Sequence, residues 1–424
     1  MNQFTASLWG DEAFAAVLAQ KPYWQIVLRA ARDTSPPLFY LSLHTWMKFF
    51  GSSELAIRTH SFLYFLLLIY VVYLFGKHLF NKKIGMIAAM LTFLNPFLFQ
   101  YGFEGRMYSI LAFYSTLSMY FFITQKKWPY ILASTAALYS HHFAIFIILS
   151  QFIFQLPKLK KNFIETIKPF FWIGFFYLPW LYPLYYQTSL VTSGFWLAKP
   201  DLESVYHLFR SFLAGGFEHQ LKNKILLVSG LLLLGRRWQK EDFLLLGWLA
   251  LPISLTFLFS QLKQSIFFDR YLLFVIPSLI LLMTSRLRKI AYPLLVLLIF
   301  WLAVTNFSYF TQPTKRPFRE LAQFVHQTAR PGDALINWSG QAHHFFESKY
   351  YGLSAPLYYP QGEPPFYIGT ALMEAEDIIK ELPVKGRTGV VTSDSTESVT
   401  LPGYQQEQVH NFGGLKLIWF IKRF

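Results

Sequence analysis

The ionisable side chains that could do chemistry are not scattered along this chain. Asp11, Glu12, Asp33, Arg58, His60, Glu104, Arg106, His141, His142, Asp269 and Arg270 stand at the ends of long apolar runs, and the runs themselves are almost free of Asp, Glu, Lys and Arg. Ionisable groups at membrane depth are costly and mostly functional. An ion-coupled transporter needs them at mid-membrane as a relay, so their absence there argues against that class. Carboxylates in one loop with cations at helix ends suit another chemistry. The cations hold a phosphate, and a carboxylate takes a proton as general base. At one surface of a bilayer, that pattern fits a lipid-phosphate substrate.

Those groups have to be positioned by the elements around them. Of the 424 residues, 54% are hydrophobic and 14% charged, whereas a soluble domain carries about 25% charged residues. Apolar runs lie at roughly 57–75, 84–100, 107–124, 129–140, 142–156, 169–187, 224–235, 243–260, 269–284 and 290–309. Several approach the ~20 residues that span a bilayer. The prediction is an α-helical polytopic membrane protein with about ten transmembrane helices. The runs 129–140, 142–156 and 224–235 are short and need tilt or local thinning.

Basic residues fill alternate connections: Lys77, Lys82 and Lys83; Lys126 and Lys127; Lys158, Lys160, Lys161 and Lys168; Arg236, Arg237 and Lys240; Arg286, Arg288 and Lys289. The positive-inside rule puts these in the cytoplasm. Residues 1–56, the 101–106 turn, the 188–223 loop, the 261–270 turn and the C-terminal domain then lie outside. The net charge of +15 reports orientation in a membrane, not nucleic-acid binding. Absence of cysteine excludes disulfides, iron–sulfur clusters and thiolate zinc sites. The first residues hold neither an apolar h-region nor a basic n-region, so no cleavable signal peptide is expected.

The expected division is a transmembrane domain over 1–310, with 1–56 as its first extracytoplasmic loop, and a small α/β domain over 311–424. Ser35–Gly51 opens on Pro-Pro and stops at glycine, and reads as an amphipathic helix lying in the interface. In the C-terminal domain, Phe318–Ala329 and Met373–Leu382 read as helices, and Ala334–Trp338, Gly389–Thr392 and Leu415–Ile421 as strands.

Each candidate has a plainer reading. Asp11 and Glu12 could be a helix N-terminal pair favoured by the macrodipole, and Asp33 a turn or N-cap acid. Arg58, Arg106 and Arg270 could snorkel to headgroups. Glu104 and Arg106 could pair with each other, and His141 and His142 could be structural. His343 and His344, adjacent on a helix, face different ways and read as surface.

Five segments carry a resemblance. SLWGDEAFA (Ser7–Ala15) is similar to the acidic first-loop motif of the GT-C superfamily, membrane glycosyltransferases that use polyprenyl-phosphate sugars. Asp33–Ser61 resembles that family's D-x-H-P-P-L-Y-Y stretch and the amphipathic helix after it. Asn95–Phe113 resembles its S-P-x-x-x-x-x-x-x-E-A-R-M-Y segment, Leu138–Phe146 its L-Y-T-H-Y-F, and Phe267–Leu279 its late P-R-Y-L-L element. The segments come in the family's order, and the nearest branch is that of the bacterial protein-mannosyltransferases and lipid A aminoarabinose transferases. Two features depart from it. The family usually carries one more span before the acidic loop, whereas this chain begins almost at that loop, so that helix is expected to be absent or encoded upstream of Met1. Ser35 stands where many relatives have His or Lys before Pro-Pro.

The resemblance implies an inverting transfer of a sugar from a polyprenyl phosphate to a lipid, glycan or protein hydroxyl on the outer face of the cytoplasmic membrane. It implies Asp11 as base, with Glu12 beside it, and Arg270 on the donor phosphate. Arg106, Glu104, His141, Asp33 and Arg58 are further donor or substrate contacts. No D-x-D or comparable metal cluster is evident in the sequence, so neither metal nor cofactor is expected. The reading from another class is a flippase or carrier of the same lipid-linked sugar, which has no need of a base at Asp11.

Overall fold

The computed structural model describes residues 2–234, 238–287, 289–382 and 386–423, so Arg236, Arg237 and Arg288 of the basic clusters lie outside the described residues. Contacts group the chain into two compact units that are not the contiguous blocks 1–310 and 311–424. One comprises Met1–Asp33, Tyr40–Ile57 and Gln312–Phe424, the other Thr34–Phe39 and Arg58–Thr311.

In chain order the helices are α1 (Gly10–Ala19), α2 (Tyr23–Arg32), α3 (Leu38–Phe50), α4 (Glu54–Leu79), α5 (Lys82–Leu94), α6 (Pro96–Gly102) and α7 (Tyr108–Ile123). Then come α8 (Lys127–Ser140), α9 (Ala144–Leu159), α10 (Phe163–Tyr177), α11 (Leu181–Ser193), α12 (Leu202–Ala214) and α13 (Lys222–Leu233). The series continues with α14 (Lys240–Leu262), α15 (Asp269–Leu272), α16 (Ile276–Ser285), α17 (Tyr292–Thr311), α18 (Phe318–Thr328) and α19 (His344–Tyr350).

The helical unit holds α5–α17 and most of α4. Helices cover each predicted apolar run over the described residues, and the protein is a multi-pass membrane protein. Among those residues α4, α14 and α17 are long and apolar enough to cross alone. The run 84–100 is two helices, α5 and α6, bent by 63°. Asn95 makes the break: its side chain accepts Leu98 N–H at 2.9 Å and donates to Phe212 O at 2.7 Å, and Pro96 follows at the first helical position. Helices α4 and α5 meet through glycines. A Cβ on Gly85 would lie 2.6 Å from Tyr73 O and 2.8 Å from Lys77 N, and one on Gly76 2.9 Å from Gly85 Cα. Small residues are what allow two backbones to approach so closely.

Arg286, expected in a solvated loop, is buried. It lies 3.7 Å from the buried Asp242 carboxylate, donates from Nε to Leu233 O at 2.6 Å, and covers Trp238 at 4.2 Å. A charge inside the bundle is tolerated because it is both paired and hydrogen-bonded.

In the other unit the C-terminal segment forms a six-stranded sheet of β1 (Ala334–Trp338), β2 (Leu357–Tyr358), β3 (Ile378–Ile379), β4 (Thr388–Thr392), β5 (Tyr404–Phe412) and β6 (Leu415–Lys422). The order is β3-β2-β1-β4-β6-β5; β6 runs antiparallel to both its neighbours, the other pairs are parallel. Alternation sorts the core. Val391, Leu417 and Trp419 pack on Phe318, Leu321 and Val325 of α18, while Val390, Ile418 and Phe420 face Ile336 and Tyr358 on the other side. Gly413 and Gly414, both at positive φ, turn β5 into β6. Met373–Leu382 is not the predicted helix. Lys349 grips Asp377 at 2.8 and 3.0 Å, Asp377 accepts Glu374 N–H at 2.9 Å, and Ile378 and Ile379 extend the sheet beside β2.

The N-terminal segment is bound into this unit. Leu8 N–H donates to Tyr351 Oη at 2.8 Å, Tyr351 donates to Glu54 Oε1 at 2.8 Å, and Arg319 Nε reaches the same oxygen at 3.1 Å. Arg29 pairs with Glu374 and donates to Ala371 O at 3.1 Å.

His343 is exposed, but His344, expected at the surface, is buried. Its Nδ1 faces Glu347 Oε2 at 2.6 Å and its Nε2 faces Ser393 Oγ at 3.1 Å. Burial, reinforced by Arg316, lowers the imidazole from 6.5 to about 3, and burial holds the Glu347 carboxyl well above 4.5. The folded pair therefore keeps a single shared proton. The unfolded chain carries two below 4.5, one between 4.5 and 6.5, and none above.

Two outcomes follow. Gly85→Ala is expected to lower the thermal unfolding midpoint in detergent, at a cost of about 1–3 kcal/mol. Gly174→Ala, with nothing within 4 Å of the added atom, should not. For the His344–Glu347 pair, stability read by amide exchange over Thr388–Thr392 in the full chain should be level between 4.5 and 6.5 and fall on both sides. The limiting slope is about 1.4 kcal/mol per pH unit. Glu347→Gln should flatten the alkaline limb and start the acid limb near 6.5, the ordinary histidine value.

Candidate functional site

In the unit that contains the sheet, α1 starts directly at the acidic pair. Glu12 is fully buried; its Oε2 accepts Trp9 N–H at 3.4 Å and Lys315 Nζ at 2.9 Å. It thereby caps the helix and neutralises a buried cation. Asp11, one residue earlier, is half-buried at the same helix N-terminus, where the macrodipole favours negative charge. A Cβ on Gly10 would lie 2.8 Å from His343 Cβ, so only glycine lets the start of α1 sit against the start of α19. The structure thus separates the pair by burial: Glu12 is fully buried and engaged by Lys315, whereas Asp11 is half-buried.

Asp33 is not an N-cap. It is the C-cap of α2, its N–H donating to Ala30 O and Arg29 O, both at 3.1 Å, and it is buried. A carboxylate there opposes the helix dipole. Capping does not account for its acidity, and the same last turn carries Arg29 and Arg32.

The helical unit gathers the remaining candidates at one end. The turn from α6 to α7 carries Glu104, buried, and Arg106, half-buried. Arg106 N–H donates to Glu104 O at 2.7 Å, Ser109 Oγ donates to Tyr101 O at 2.9 Å, and Ser61 Oγ fastens Arg106 O to α4 at 3.5 Å. Across from it, α15 presents Arg270. Its guanidinium lies 4.8 Å from the Phe268 ring, 5.6 Å from Tyr108 and 5.7 Å from Tyr271. Glu104, Asp269 and Arg270 all act electrostatically on the buried Tyr101 hydroxyl, and Arg106 and Arg270 on His141.

His141 Nδ1 accepts Phe143 N–H at 3.2 Å, and its ring lies 5.1 Å from Tyr271. An imidazole that accepts at Nδ1 is neutral, with its proton on Nε2. His142 Nε2 meets Gln187 Oε1 at 2.7 Å and its Nδ1 meets Tyr177 Oη at 3.3 Å, which ties α11 and α10 to the junction of α8 and α9. Ser35, Arg106, Tyr108, His141, His142 and Tyr271 line one cavity of about 240 Å³. It offers a cation, a neutral donor and apolar aromatic walls, a combination that suits an anionic headgroup attached to an apolar chain.

Of the sequence-predicted residues, Glu104, Arg106, His141 and Arg270 come together in the helical unit, while Asp11, Glu12 and Asp33 belong to the other. Arg58 is not a snorkelling residue, because it is wholly buried. Sequence reasoning missed Lys315, which follows the last long apolar helix like any flanking lysine, and Tyr108 and Tyr271, which look like span aromatics. Gln187, on α11, carried no signal. Among the described residues no three His, Asp or Glu side chains converge as a metal-binding set.

Residues 34–186 match the profile of the dolichyl-phosphate-mannose-protein mannosyltransferase family. No curated protein matches the chain in sequence. Solved structures do match in fold. ArnT from Cupriavidus metallidurans in the apo state is 13% identical, with a TM-score of 0.71 over 98% of this chain and 94% of that one. ArnT from the same organism bound to undecaprenyl phosphate gives 12% and 0.68 over the same shares. The apo oligosaccharyltransferase of Archaeoglobus fulgidus gives 15% and 0.50, over 88% of this chain and 60% of that one.

Proposed function

We propose, from a chain that has the GT-C fold of ArnT and a segment of the mannosyltransferase family, that this protein is a polyprenyl-phosphate-dependent glycosyltransferase. The finer reading is an inverting transfer of a hexosyl or pentosyl group to a hydroxyl of a lipid, glycan or protein. It takes place on the outer face of the cytoplasmic membrane, the face that the alternation of basic connections assigns to the 101–106 and 261–270 turns. The observation that carries it is the cavity bearing Arg106, His141 and Ser35, beside an Arg270 held among aromatic rings.

In a single displacement the acceptor oxygen forms a bond to the anomeric carbon as the bond from that carbon to the phosphate oxygen breaks. The electron pair leaves on the polyprenyl phosphate, and the acceptor proton goes to a carboxylate. The leaving group is a stable anion that needs positive charge more than a proton. Arg270 and Arg106 supply that charge. Glu104, Asp33 and Arg58 are further donor or substrate contacts, and neutral His141 donates a hydrogen bond from Nε2. Asp11 is the base; Glu12, engaged by Lys315, holds the helix that presents it. Ser35, short where relatives carry a longer side chain, lines the cavity and leaves room for a different sugar substituent.

Membranes carrying the wild-type chain are expected to transfer label from polyprenyl-phosphate hexoses or pentoses to endogenous acceptors. Asp11→Asn should lose about 10²–10⁴-fold in turnover with donor binding intact. Arg270→Gln should lose roughly 3–4 kcal/mol of transition-state stabilisation. Equal donor binding by wild type and Asp11→Asn, with no glycosidic bond made by either, would instead favour a carrier of the lipid-linked sugar.

A further inference from the structure

A second cavity, of about 380 Å³, lies at the opposite end of the helical unit. Helices α7, α8, α9 and α10 run between the two. Phe122, Lys127, Lys158 and Glu165 mark this end, and Tyr108, His141, Ile145 and Tyr177 the other. Lys126, Lys127, Lys158 and Lys161 line its mouth against a single carboxylate, Glu165, which pairs with Lys127. Among the described residues no carboxylate pairs with Lys126, Lys158 or Lys161. Phe122, Tyr130, Pro169 and Phe170 form the apolar wall behind them.

Two features separate this cluster from ordinary orientation-setting lysines. The first is backbone conformation. Gln125, in the cavity wall, has φ of 56°, the one non-glycine residue at positive φ among the described residues. Lys126 N–H donates back to Phe121 O at 3.0 Å, and Gln125 Nε2 to Phe122 O at 2.8 Å. This tight reversal sets Lys126 and Lys127 at the mouth, and a left-handed glutamine costs of order 1 kcal/mol or more. The second is length. Helices α7, α8 and α9 have 16, 14 and 16 residues, so each is ~21–24 Å long where the hydrocarbon layer is ~30 Å. Such short helices thin the bilayer around them. Thinning of that kind would bring headgroups to the depth of the lysines and acyl chains against the apolar wall.

We propose that this cavity binds the phosphate headgroup of an anionic phospholipid, a site distinct from the Arg106–Arg270 end. Three lysines without a carboxylate partner meet the phosphodiester, and the aromatic wall meets the upper acyl chain. Basic pockets between membrane helices recognise lipid headgroups in this way.

The test uses the full chain in phosphatidylcholine nanodiscs doped with phosphatidylglycerol, with retained lipid counted by native mass spectrometry. Wild type should retain phosphatidylglycerol over phosphatidylcholine. The triple variant Lys126→Gln, Lys158→Gln, Lys161→Gln should retain it about tenfold less. The same three positions changed to Arg should keep it, which shows that a loss is not misfolding. Lys160→Gln with Lys168→Gln removes charge from the same end but not from the cavity and should behave as wild type. Equal loss in both Gln variants would overturn the site in favour of diffuse surface charge. No preference for phosphatidylglycerol in wild type would overturn it outright. Displacement of the lipid by millimolar inorganic phosphate would overturn the lipid assignment and leave a free-phosphate site.

Discussion

A charge moved into an apolar interior costs several kcal/mol unless it is paired and hydrogen-bonded, and the arrangement of this protein follows from that penalty. Where a charge is buried, it is built in. Arg286 meets Asp242, Leu233 O and Trp238. Lys315 meets Glu12, which also caps α1. His344 and Glu347 avoid the penalty differently, by sharing one proton, so that neither carries full charge in the core. The remaining ionisable groups are pushed to the helix ends.

The same penalty shapes the helices. A span that must deliver Arg106 to one end cannot run straight through as a uniform cylinder. Asn95 and Pro96 break it: the asparagine side chain accepts the Leu98 N–H at the start of α6 and donates to Phe212 O of α12. The break turns α6 so that the Phe103–Met107 turn faces α15, with Tyr108 and Tyr271 6.5 Å apart beside Arg270. The close approach of α4 and α5 through Gly76 and Gly85 needs no polar group, because small residues alone bring the backbones together.

Much of this was legible because membrane helices announce themselves by composition. The apolar runs, the amphipathic helix ending at Gly51, and α18, β1, β4 and β6 have periods or stop signals that depend on neighbours in sequence. What failed depended on neighbours in space. Met373–Leu382 has helical composition, but pairing with β2 and the Lys349–Asp377 clasp override it. Strand β5 is polar and mostly exposed, so it lacks the alternation that reveals strands. His344 looked like surface because its partners are three and forty-nine residues away. The acidic pair could be found by motif, but nothing local distinguishes Asp11 from Glu12. Lys315, 303 residues further on, makes the distinction.

The cations around the two cavities also differ in kind. One end carries Arg58, Arg106 and Arg270, while the clusters around α7–α10 at the other are lysine alone. Arginine's planar guanidinium stacks on aromatic faces and keeps its donors in fixed directions, whereas lysine is a hydrated, mobile point charge. Arg270 over Phe268, Tyr108 and Tyr271 is held by those rings, so under the proposed transfer little reorganisation would remain when charge develops on a leaving phosphate. Exposed lysines on four-carbon stems have to be ordered by whatever they bind, which suits retention of a headgroup and not stabilisation of a transition state. Cation type therefore separates the two cavities physically, with an arginine fixed among aromatic rings beside one and adaptable lysines at the mouth of the other.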